Sequence, residues 1–166
     1  LALAHASAAQ PKQSAEVYGD IPDYGQYYLS PDFVRYGGGK IAVSARTGKA
    51  VLTLDESGKV LRKIPLPTFS SGVDISKDGK TLFATLYCFN GKLLKIDAES
   101  GKTTAQTDVG HFPRAPRISP DGKFVYICNQ FKNVVKKFDA QTLKELGKAK
   151  AVRDPFAVEV SPDGKT

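Results

Sequence analysis

The apolar residues of this chain fall in short β-rich runs, and each run is broken by Gly, Ser, Asp or Pro. Such runs predict strands, and no stretch keeps the 3.6-residue period long enough to compete as a helix. In the second full repeat the runs predict four strands, at 73–76, 81–87, 93–97 and about 103–109. Asp78-Gly79 and Ser100-Gly101 turn the chain between them, because Gly accepts positive φ and Asp or Ser bonds the local backbone.

The pattern repeats. Ser76-Lys77-Asp78-Gly79-Lys80 returns as Ser119-Pro120-Asp121-Gly122-Lys123 and as Ser161-Pro162-Asp163-Gly164-Lys165, at spacings of 43 and 42. A hydrophobic residue followed by Asp keeps the same register at Leu54-Asp55, Ile96-Asp97 and Phe138-Asp139, 42 apart each time. Two independent markers in phase identify a repeat protein. A four-stranded antiparallel unit of about 40–45 residues is the blade of a β-propeller, so the expected class is all-β. The repeats fall at about 33–72, 73–114 and 115–156, with a further one starting at 157.

Leu82-Phe83-Ala84-Thr85, Val125-Tyr126-Ile127-Cys128-Asn129 and the SPDGK phrases before them resemble the YVTN family of β-propeller repeats, over roughly residues 41–166. That family carries SPDGKxLYVTN and then a strand ending in Ile-Asp. This chain departs from it at Cys128, which replaces the motif Thr, and at Leu86, which replaces the Asn. Tyr36-Gly37-Gly38-Gly39-Lys40 stands where the first SPDGK belongs. The resemblance implies a ring of seven blades, of which 33–166 would supply about three, making the chain the N-terminal part of a longer propeller that needs the remainder to close its ring. Gly110-His111-Phe112-Pro113-Arg114 and Arg153-Asp154-Pro155-Phe156 are similar to inter-blade loops of exported members, some of which accompany or are fused to cytochrome c domains.

Composition narrows the class. The 166 residues carry 41% hydrophobic and 25% charged side chains, which suits one globular domain. No apolar run reaches the roughly 18 residues of a membrane span, and two cysteines exclude a disulfide-dense scaffold or a four-cysteine zinc site. The first residues, LALAHASAAQ, read as the end of an apolar segment followed by an Ala6-Ser7-Ala8 cleavage element. Residues 1–8 are therefore expected to be a signal-peptide remnant, and the protein periplasmic or secreted in a bacterial envelope. Residues 9–32 are read as an N-terminal extension, in which 14–24 could seal the ring as a strand.

A formal net charge of +7 favours anionic partners. It also suits nucleic acid, for which no motif is present. In a blade the strand A–B and C–D turns share one face and the B–C and D–A loops the other. The turns are uniform and structural, so ligand binding is expected on the variable loop face, at Arg46, His111, Arg114, Lys132 and Arg153. Asp74, Arg117 and Glu159 occupy one position of successive innermost strands, flanked by apolar residues, and are expected to line the channel or pair with one another.

Catalytic and metal-binding residues are expected to be none. His111 has no nucleophile or second ligand at interpretable spacing, no CxxCH attaches haem, and Asp55, Asp97 and Asp139 are read as backbone caps. The Gly-Lys pairs followed by Thr lack the glycine five places earlier that a phosphate loop needs; Asp74, Ile96 and Glu159 stand there. No cofactor is expected. Cys88 and Cys128 fall on or beside strand B of consecutive repeats, where free thiols are favoured over a bridge. The leading functional expectation is a non-enzymatic binding or scaffold module for a protein or anionic ligand. A redox-associated propeller partnered with a cytochrome c, or a lactonase-like hydrolase, are the alternatives.

Overall fold

The structure, a computed structural model, describes residues 34–46 and 48–165. The expected signal remnant and the ring-sealing strand at 14–24 lie outside the described residues. Among the described residues, twelve strands form three four-stranded antiparallel sheets, each a meander in chain order. Blade 1 contains β1 (Val34–Gly37), β2 (Lys40–Ala45), β3 (Ala50–Leu54) and β4 (Val60–Pro65). Blade 2 contains β5 (Ser70–Ile75), β6 (Thr81–Leu86), β7 (Gly91–Asp97) and β8 (Thr103–Gly110). Blade 3 contains β9 (Pro113–Ile118), β10 (Phe124–Asn129), β11 (Val134–Asp139) and β12 (Glu145–Lys150). The first strands of neighbouring blades pack side by side, and the fourth strands lie outermost. Burial follows that order: every residue of β5 is buried and every residue of β12 is exposed.

The hydrophobic core sits between blades. Val51 and Ile64 of blade 1 pack with Leu82, Ala84, Leu94 and Ile96 of blade 2. The opposite face of blade 2, with Phe83 and Leu93, packs on Val125, Ile127 and Phe138 of blade 3. Strand β6 is thus buried on both faces: residues 82, 84 and 86 turn one way and 83 the other. Each such Leu or Phe withdrawn from water contributes about 1.5–3 kcal/mol before ordering costs.

Turn chemistry recurs with the repeat. Ser76 Oγ donates to Asp78 Oδ1 at 2.6 Å, the Lys80 N–H donates to the same oxygen at 3.1 Å, and the Thr81 N–H donates to Ser76 Oγ at 2.9 Å. Gly79 holds φ +71° so that the chain can reverse. Ser119 and Asp121 rebuild the network, and Ser161 donates to Asp163 at 2.6 Å. On the same side, Asp55, Asp97 and Asp139 accept backbone N–H groups from the turns that follow them. Blade 1 uses a shorter turn, Gly38-Gly39, at φ +56° and +74°, because Gly37 and Gly38 lie against the Ser76–Gly79 turn of blade 2.

Strand β5 begins at Ser70, three residues before the expected start. Ser70, Ser71 and Gly72 look like loop residues, yet Ser71 is buried, bonds Thr85 Oγ1 within its own blade and donates to the Pro113 carbonyl of the next one. Residues 157–161, expected as the next innermost strand, form no ladder, because the described residues give them no hydrogen-bonded neighbour within a sheet. Among the described residues there is one 3-10 turn, Gln130–Lys132, and no helix long and apolar enough to cross a membrane.

Candidate functional site

Two groups of side chains stand out, one along the inner strands and one on the loop face. Asp74 lies on β5 and is buried. Its carboxylate accepts N–H bonds from Ile75 at 2.9 Å and from Ile118 of the next blade at 2.8 Å. Arg117 Nη1 stands 3.3 Å from Asp74 Oδ2, and Arg117 Nε stands 2.7 Å from Glu159 Oε2. Arg35, on β1, closes the group with Nη2 at 2.9 Å from Glu159 Oε1 and Nε at 3.9 Å from Asp74 Oδ1. Asp74, Arg117 and Glu159 are therefore in one ion-pair ring, together with Arg35, which periodicity does not mark because it is one position out of register. Burial pushes the Asp74 carboxyl above its ordinary pKa, opposed by the Ile118 N–H and the Arg117 charge. Beside the ring, a cleft of about 580 Å³ opens between the Gly37-Gly38 turn and Pro120, with Tyr36, Lys77 and Ser119 on its walls.

The loop face is built by the residues that follow each second strand and precede each first strand. Arg46 and Tyr87 take equivalent places after β2 and β6. The Arg46 guanidinium lies 4.9 Å from the Tyr87 ring centroid, and that of Arg114, on β9, lies 4.7 Å from the same ring. Arg114 also lies 4.3 Å from the Phe156 ring and donates Nε–H to Gln130 Oε1 at 2.8 Å. Residues from all three blades and from the segment after them thus form one stack of guanidinium and ring planes. Each such contact contributes about 0.5–2 kcal/mol, more as water is excluded.

Aromatic rings extend this stack outward. Phe112 packs 5.1 Å from Tyr87, 5.1 Å from Phe131 and 6.3 Å from Phe89. Its backbone is left-handed, at φ +47°, a conformation that costs a side-chain-bearing residue about 1–2 kcal/mol. The Phe112 N–H donates to the Cys88 carbonyl at 2.9 Å, which holds the loop in that shape. His111 stacks 4.0 Å from Phe89, with Nδ1 2.6 Å from the Phe89 carbonyl oxygen. Phe89 and Phe131 remain 64% and 59% exposed, large apolar surfaces left in water.

Of the residues expected on this face, Arg46 and Arg114 meet at Tyr87 and His111 joins through Phe89. Lys132 and Arg153 stand at the exposed rim, where Arg153 Nε lies 3.5 Å from Asp154 Oδ2. The sequence reading missed Phe89, Phe112, Phe131 and Phe156 as members of the site. For Phe112 and Phe156 the signal was present in the His111-Phe112-Pro113-Arg114 and Arg153-Asp154-Pro155-Phe156 phrases, where a ring adjoins a proline, and for Phe89 and Phe131 it was their spacing of 42, the period of the repeat.

Among the described residues, no three His, Cys, Asp or Glu side chains gather as metal ligands. Both cysteines are free thiols, Cys128 buried and Cys88 half-buried. The Gly79, Gly101 and Gly164 phrases are all turns.

Comparison with solved structures gives the same architecture. Hydrazine synthase from Kuenenia stuttgartiensis superposes with a TM-score of 0.74 at 22% identity, covering 84% of this chain and 41% of that one. A protein of unknown function from Bacteroides caccae gives 0.60 at 16% identity, covering 79% and 49%. The chain thus spans less than half the length of either structure. No curated protein sequence matches it. Residues 36–161 match the family described as lactonase, 7-bladed β-propeller. With that match spanning most of the chain and three complete blades in the structure, the protein belongs to the lactonase family of seven-bladed β-propellers.

Proposed function

We propose that this protein is a non-enzymatic binding module that recognises an anionic partner through its loop face. The observation that carries the reading is the Arg46–Tyr87–Arg114–Phe156 stack, which keeps two guanidinium groups beside rings at the meeting point of successive blades. Cations held against aromatic faces lose little side-chain entropy on binding, so they are preorganised for carboxylate or phosphate groups. Lys132 and Arg153 extend the positive field to the rim. The acidic groups of the inner ring are occupied: Asp74 takes two backbone N–H groups and faces two arginines, which leaves it poorly placed as a general base.

The A-x-A element at 6–8 and the YVTN-like loop phrases support export to a bacterial envelope. The test uses fluorescein-labelled poly-L-glutamate as the probe, with anisotropy followed at low and at physiological salt. Binding should weaken as salt rises, and Lys132→Glu combined with Arg153→Glu should weaken it about tenfold or more. Absence of binding, or binding indifferent to both changes, overturns the reading.

A further inference from the structure

Exposed aromatic surface is concentrated on one side of the molecule. Among the described residues four phenylalanines are exposed, Phe69, Phe89, Phe131 and Phe156, and all four stand in connections of the loop face. Apolar side chains scattered singly need no explanation, whereas rings gathered in one patch mark a surface that a partner covers. Phe89 and Phe131 share the neighbour Phe112, whose ring meets theirs at 88° and 68°. Rings set so steeply make a notch that admits one side chain, not a flat platform on which successive bases stack.

Backbone strain gathers on the same face. Of the five described residues other than Gly with positive φ, four lie there: Lys49, Phe112, Asn133 and Asp154. Such conformations persist only where neighbours over-determine them. The Leu66 N–H donates to the Lys49 carbonyl at 2.6 Å, the Ala151 N–H to the Asn133 carbonyl at 2.8 Å, and the Asp154 N–H to Asn133 Oδ1 at 2.9 Å. The loops are thereby fixed in advance, which lowers the entropy lost when a partner binds. The charge around the rings is positive: Lys132 follows Phe131 and is exposed, Lys49 Nζ lies 5.4 Å from the Phe69 centroid, and Arg153 stands at the rim. Two acids there, Asp108 and Asp154, already face Lys92 at 2.7 Å and Arg153 at 3.5 Å. Arg46 and Arg114 are engaged with Tyr87 and serve as its support, not as contacts.

We infer that the loop face docks a protein partner through a segment that carries an aromatic or branched aliphatic side chain between acidic residues. The apolar side chain enters the notch of Phe89, Phe112 and Phe131, and its acidic neighbours meet Lys132 and Arg153. Rings then supply the central anchor and cations the rim that steers approach. A second copy of this chain, meeting loop face to loop face, would set like charges against one another. The inference rests on the binding reading above and names the class of its partner.

The experiment uses two fluorescein-labelled peptides of Glu and Asp, one with a central pair of phenylalanines and one with alanines in their place. The phenylalanine peptide should bind about fivefold or more tightly than the alanine peptide, and that preference should survive high salt, where the charge contribution is screened. In Phe89→Ser combined with Phe131→Ser the preference should fall to about one. In the unmodified protein, which needs no variant to fold, the phenylalanine peptide should move NMR amide shifts at 89–90, 111–112 and 131–133 and leave 78–80 and 121–123 in place. No gain from the phenylalanines overturns the docking and leaves the binding reading standing if poly-L-glutamate still binds. A preference that persists in the double variant, or shifts at the turns, overturns the placement. If neither peptide nor poly-L-glutamate binds, the binding reading falls and the docking with it. Tighter binding of labelled oligo-dT than of the phenylalanine peptide, lost in the double variant, overturns the protein partner in favour of nucleic acid.

Discussion

Asp74 and Arg117 bridge two blades: the carboxylate on β5 lies 3.3 Å from the guanidinium of β9 while accepting the N–H of Ile118 beside it. A residue from each side of the boundary is thereby fixed at one point near the axis. Because Asp74 is buried, its ionised form depends on those partners.

Replacing Arg117 with Met should therefore destabilise the protein at neutral pH by about 1–3 kcal/mol, the range for leaving a buried polar group under-paired. Arg35 remains near Asp74 and keeps the loss below that of a wholly abandoned charge. The pH dependence follows from the direction of the shift. Burial raises the folded-state pKa of Asp74 above 3.8, so between 3.8 and that raised value the folded state holds more protons than the unfolded state. This contribution is present at low pH and is lost as pH rises through the folded value. The variant, with the opposing Arg117 charge removed, should recover part of its lost stability on acidification, and Asp74→Asn in the same background should recover part of it at neutral pH. Urea unfolding across pH checks both.

The turn aspartates behave in the opposite sense. The Ser76 hydroxyl, and then the Lys80 N–H, hold Asp78 below the ordinary carboxylate value, and Ser119 with Lys123 do the same for Asp121. The folded state therefore binds fewer protons than the unfolded state below about 4. The stability these groups add is present above their unfolded pKa and disappears as pH falls through the folded values. Ser76→Ala should move the Asp78 titration upward in an NMR pH series and leave Asp121 where it was. A common upward movement of both would mean that the turns do not set these values locally.

The blades were legible because their determinants are local. SPDGK phrases announce hairpins, and the unbroken apolar run Leu82-Phe83-Ala84 is what a strand buried between two neighbours requires. The inner strand was harder to bound, since Ser70, Ser71 and Gly72 are small and polar, and their burial comes from the approach of Thr85 and Pro113. The same reason separates the two halves of the candidate site. Asp74, Arg117 and Glu159 recur in phase and could be aligned, and Phe89 and Phe131 are likewise 42 apart, but Phe112 comes from a different loop, and nothing in the spacing says that it meets them. Only the packing of blade 2 on blade 3 brings those rings together.

The two cysteines should differ in reactivity. Burial pushes the Cys128 thiol up to about 11, so at neutral pH almost none of it is the nucleophilic thiolate, and reagent has no path to it. Cys88 lies half-buried at the edge of the aromatic loop face. Under native conditions iodoacetamide should label Cys88 first, and Cys128 should react only as the protein unfolds. Equal labelling rates, read by peptide mass spectrometry, would show that blade 3 opens readily.

Gly38 and Gly39 allow the last prediction to separate backbone strain from crowding. Both hold positive φ, so alanine at either position meets the left-handed penalty of about 1–2 kcal/mol. At Gly39 nothing lies near the added methyl group, and Gly39→Ala should cost no more than that. At Gly38 the methyl would overlap the backbone of Asp78 and Gly79, atoms that cannot swing aside as a side chain could. Gly38→Ala must therefore push the turns of blades 1 and 2 apart, which adds about 1–3 kcal/mol of overpacking to the conformational cost. The larger loss at Gly38 should be relieved little by Gly79→Ala, which adds a second strained residue at the same contact. Thermal unfolding of the single variants decides the matter: equal losses at 38 and 39 would mean that the two turns do not touch.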